Sequence, residues 1–64
     1  MRHSEFWARL DQHLGRAYAR MWADTQSITA LGSRTVSEAL DAGEEPKLVW
    51  RAVHATLGLP ASER

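Results

Sequence analysis

Apolar residues recur along this chain at the spacing of one helix face, and glycines interrupt them where each helix would end. Phe6, Trp7, Leu10 and Leu14 share one side of a 3.6-residue wheel, with Glu5, Arg9 and Gln12 opposite. This predicts a first helix from Glu5 to Leu14, capped by Ser4 and stopped by Gly15. A second helix is predicted from Arg16 to about Leu31. Tyr18, Met21, Trp22, Thr25, Ile28 and Thr29 form its inner stripe, and Arg16, Arg20, Ala23 and Ser27 its outer side. Gly32 closes it, and the poor helix formers Asp24-Thr25-Gln26-Ser27 mark a point where it can break or fray.

Thr35-Val36-Ser37-Glu38 has the form of a capping box, in which the threonine hydroxyl and the glutamate carboxylate each take an orphan backbone N–H. It opens a short third helix that turns Val36, Ala39 and Leu40 inward and ends at Gly43. Glu44-Glu45-Pro46 then puts acidic groups and a first-turn proline at the start of a fourth helix, where the helix dipole favours them. That helix runs to Leu57 with Val49, Trp50, Val53 and Leu57 as its stripe. Gly58 stops it, and Leu59 folds back before Pro60. No stretch alternates apolar and polar residues long enough for a strand, so the predicted class is all-α. The expected architecture is a compact bundle of three to four short helices, one domain over residues 1–60 with a loose tail at 61–64.

A chain of 64 residues without cysteine must hold itself together by packing or by self-association, because disulfides and thiolate metal sites are closed to it. Trp7, Trp22 and Trp50, with Phe6 and Tyr18, supply the rings for that, each burying roughly 150–250 Å² when enclosed. Eight basic and eight acidic residues leave a formal charge of zero, so no net field draws the chain toward phosphate or acidic lipid. The N-terminal residues lead straight into an amphipathic pattern, not a long apolar run. The reading is therefore a cytoplasmic protein with no signal peptide and no membrane span.

His3, His13 and His54 are the only candidate nitrogen ligands, and no two stand at i, i+3 or i+4 on one helix, so neither a metal nor another cofactor is expected. Ser4, Thr35 and Ser37 are accounted for by capping or exposure, and Glu44 and Glu45 by the helix start, so the chain is not read as an enzyme. Leu31 to Leu40 resembles the turn and recognition helix of repressor-type helix-turn-helix proteins. Its glycine stands too close to the threonine, however, and the helix offers Ser37, Glu38 and Asp41 where base-reading side chains belong.

Arginines concentrate in the first half of the chain, where Arg16 and Arg20 lie one turn apart on the expected outer face of the second helix. The pairs Phe6–Trp7, Met21–Trp22 and Val49–Trp50 each set two large apolar groups about 100° apart, wider than one neighbouring helix covers, so some ring edges are expected at the surface. Leu48 stands off the main stripe of its helix. Arg16, Arg20, Leu48 and Trp50 are accordingly the candidate partner-binding residues, for an unknown protein partner or a second copy of the chain. The function expected is a non-catalytic interaction or accessory module. Its alternative is nucleic-acid binding through the arginines of helices one and two.

Glu5-Phe6-Trp7, Ala17-Tyr18-Ala19-Arg20, Trp22-Ala23, Leu31-Gly32, Arg34-Thr35-Val36, Glu38-Ala39-Leu40, Ala42-Gly43, Pro46 and Val49-Trp50-Arg51-Ala52-Val53 together resemble a small actinobacterial family catalogued as a domain of unknown function. The resemblance runs from Met1 to about Pro60, and the Val-Trp-Arg-Ala-Val block is its most distinctive piece. Genes of that family often lie near those of the RecA recombinase and its regulator RecX, so the resemblance implies a connection with DNA repair. It brings no catalytic residues.

Overall fold

In the computed structural model, which describes residues 1–60, helix α1 spans His3–Leu14 and opens ahead of Ser4. The Phe6 N–H donates to the Arg2 carbonyl at 3.0 Å, so extended Arg2 is the N-cap and Ser4 lies inside the first turn without capping anything. Gly15, at φ +84°, is the whole connection to α2 (Arg16–Thr25). The chain folds back there, bringing Arg20 against Trp7 and Asp11.

Helix α2 does not reach Leu31. Its last helical bond is Gln26 N–H to the Trp22 carbonyl at 2.9 Å, and the Thr25 hydroxyl donates to the Met21 carbonyl at 2.7 Å, the local competition that disfavours threonine in helices. The chain then extends through Gln26, and the Ile28 N–H donates to the Arg34 carbonyl at 2.9 Å in an isolated antiparallel bridge. A 3-10 turn, Thr29–Leu31, closes that loop through Gly32 and Ser33, both left-handed. Breaking the helix carries Ile28 and Leu31 into the core from a direction that a continuous helix would not give them.

Helix α3 (Val36–Asp41) starts with the capping box anticipated from its sequence. The Thr35 hydroxyl accepts from the Glu38 N–H at 3.1 Å, and the Thr35 N–H donates to Glu38 Oε1 at 2.8 Å. Helix α4 (Pro46–Leu57) starts at its proline and ends at left-handed Gly58. The Gly58 N–H donates to the Ala55 carbonyl and the Leu59 N–H to that of His54, the paired bonds of a Schellman stop. Arg34 fastens the irregular loop by donating to the Leu31 carbonyl at 2.8 Å and to Glu44 at 3.1 Å.

The result is an all-α bundle in which α1 packs on α2 and α4, and α3 closes the remaining side between α2 and α4. At its centre Phe6 is wholly buried and meets Trp7 and Trp50 edge to face, at 5.4 and 5.8 Å between ring centroids. Leu10, Val36, Val49 and Val53 are fully buried around it. One face was misassigned from the sequence. Tyr18 and Met21 of α2 are 50% and 56% exposed, whereas Ala19 and Ala23 are fully buried and bring the α2 backbone close to its neighbours. The anticipated tail at 61–64 lies outside the described residues.

Candidate binding groove

On α1, Glu5 and Arg9 fall on one line, because positions four apart stack on a helix face, and Met1 stands beside them ahead of extended Arg2. On α4 the same spacing lines up Lys47 with Arg51 and Trp50 with His54. These two faces form the walls of an open groove of about 830 Å³, which Leu59 also lines. The α4 wall is where it is because Val49 and Val53 hold the opposite side of that helix in the core.

The groove is charged unevenly. Arg9, Lys47 and Arg51 face a single carboxylate, Glu5, and none of the four makes an ion pair with a described residue. Arg9 is half-buried, and Lys47 and Arg51 are exposed. His54 is engaged: its Nε2–H donates to the Pro60 carbonyl at 2.7 Å, since a carbonyl can only accept, and this bond holds the chain after Gly58 against the groove. A chain of zero formal charge thus gathers three cations along one cleft.

The residues singled out from the sequence do not share one surface. Trp50 is 2% exposed and belongs to the core, packed on Phe6 and tilted against His13 at 5.9 Å, with only an edge contributing to the groove. Its indole N–H is enclosed and meets no acceptor among the described residues, so packing holds this ring. Leu48 is 49% exposed, on the outer side of α4. Arg16 is exposed on α2. Arg20 is occupied: its guanidinium lies 4.0 Å from the Trp7 ring centroid and 3.9 Å from Asp11. Helix α2 does not line the groove at all. As a candidate, Arg9 entered the sequence reading only as the arginine of helix one in the nucleic-acid alternative, and Lys47 and Arg51 were not singled out, although their i, i+4 spacing on a predicted helix carried that signal.

Among the described residues, no three histidine or acidic side chains come near enough to share an ion, and no helix is long and apolar enough to cross a membrane. The family described as protein of unknown function (DUF3046) matches residues 1–62. The chain belongs to this family. No curated protein and no solved structure matches it. The two walls of the groove in this DUF3046 protein, and the Val49–Val53 block behind one of them, all lie within the matched span.

Proposed function

We propose that this DUF3046 protein is a non-catalytic accessory module of the cytoplasm that works by holding another protein along the groove between α1 and α4. One observation carries the reading: Arg9, Lys47 and Arg51 stand together without ionic partners among the described residues, while the core closes without them. Ionic groups that neither pair nor pack add little to folding, and complementary charge on a partner is what gives them a use. Of the hydroxyls weighed from the sequence, Thr35 accepts from the Glu38 N–H and Ser37 donates to Asp24, and neither lines the groove. The test is affinity capture with the wild-type chain and with R9E/K47E/R51E. A partner retained by the first and lost by the second supports the reading; the same proteins captured by both would refute it. The DNA-repair setting implied by the family resemblance predicts a recombinase or one of its regulators among them.

Nucleic-acid binding through the arginines of α1 and α2 is the second reading, favoured by exposed Arg16 and half-buried Arg9. Against it, Arg20 is turned onto Trp7 and Asp11, and Arg9 faces α4. Duplex and single-stranded DNA titrated across a salt series decide it, since phosphate contacts give an affinity that falls steeply with salt. Self-association through the half-exposed Tyr18, Met21 and Leu48 would appear in sedimentation as a concentration-dependent dimer.

A further inference from the structure

The groove also restricts the kind of protein it takes, an inference that rests on the reading above. The lining runs from Lys47 to His54 on α4, or about 10 Å of helix axis, so an occupant needs only about two helical turns in contact with it. Three cations face one carboxylate, so an incoming chain must bring more negative charge than positive. Lys47 and Arg51 stand one helical turn apart, a spacing that carboxylates at i and i+4 of a second helix reproduce. Met1, Leu59 and an edge of Trp50 line the same cleft, so apolar side chains have something to touch.

We propose that the groove takes an acidic, amphipathic helical segment of a partner protein. Carboxylates on that segment meet Arg9, Lys47 and Arg51, and its apolar side chains lie between them against Met1 and Leu59. A phosphodiester backbone is a poorer occupant. Three cations release about three counterions, below the roughly six to ten contacts of strong nucleic-acid binders, and Glu5 stands among them. Phosphates also make no use of the apolar lining.

The probe is a fluorescein-labelled peptide of about 15 residues, the length at which an isolated helix begins to hold. It carries glutamates one turn apart beside leucines on the same face, and binding is read by fluorescence polarisation at low salt. A second peptide has lysine for glutamate, and a labelled single-stranded oligonucleotide is the third ligand. The expected result is binding of the glutamate peptide, weakened about 1.5- to 5-fold by each of R9Q, K47Q and R51Q and at least threefold by all three together. R16Q, outside the groove, should change nothing, and circular dichroism should show all variants folded. Glutamate-peptide binding that ignores the three groove substitutions overturns the proposal. Binding of the lysine peptide that E5Q weakens overturns it too, yet leaves the groove a protein-docking surface. Preference for the oligonucleotide, or no binding of any ligand, removes both the proposal and the reading it rests on.

Discussion

Phe6 is where the fold is most exposed to test, because α1 and α4 meet through it. Its side chain is 0% exposed, and both tryptophans in contact stand nearly perpendicular to it, at 89° and 88°. Truncating a buried phenylalanine to alanine costs about 3–5 kcal/mol, a range that already contains the two edge-to-face contacts at about 0.5–1.5 kcal/mol each. A domain of this length has a total stability of about 3–10 kcal/mol, so Phe6→Ala should remove about half of it or unfold the chain. Phe6→Leu keeps most of the volume and loses chiefly the ring edges, which puts its cost at about 1–2 kcal/mol. Guanidinium unfolding followed by far-ultraviolet circular dichroism gives both numbers. Tryptophan emission should shift to the red in the alanine variant as Trp50 gains water. A cost below about 1.5 kcal/mol for Phe6→Ala would refute the claim that this ring is the keystone between α1 and α4.

Other expectations follow from single residues. Thr35→Ala should cost about 1–2 kcal/mol in the same assay, since it removes the accepting half of the capping box at a 9% exposed position, and its effect should not add to that of Glu38→Ala. Ser33 is left-handed at φ +63° without being glycine, so Ser33→Gly should stabilise by about 0.5–1 kcal/mol and Ser33→Ala should not. Arg20→Ala should cost about 0.5–1 kcal/mol, most of it from the Trp7 ring. Asp11→Asn, which keeps the side-chain shape and weakens a 3.9 Å ion pair whose Asp11 Oδ1 is enclosed without a hydrogen-bond partner among the described residues, should cost less than Arg20→Ala, and the reverse order in thermal melts would show that the ion pair leads.

What the sequence made legible was chemistry confined to a few adjacent residues. The Thr35–Glu38 box, Pro46 at the head of α4 and the Gly58 stop act through the backbone within one turn, so no knowledge of the rest of the fold was needed. Helix α2 was harder for two reasons. Its end depends on Ile28 finding the Arg34 carbonyl across a loop, a contact invisible to local propensity. Its inner face depends on how near α1 and α3 come: close approach favours Ala19 and Ala23 inside, whereas hydropathy weighs Tyr18 and Met21 more heavily and turns the helix the wrong way. Ser4 failed as a cap because extended Arg2 already supplies the first carbonyl. The groove was hidden because it is made by two helices from opposite ends of the chain. Arg9 and Arg51 are ordinary surface residues until α1 and α4 lie side by side.

The location of binding is the most direct measurement. The glutamate peptide, titrated into isotopically labelled protein, should move the amide resonances of Glu5, Arg9, Lys47, Arg51 and His54 and leave those of Tyr18, Met21 and Thr25 in place. Shifts gathered on α2 instead would mean that the cleft between α1 and α4 is not where this protein meets its partner.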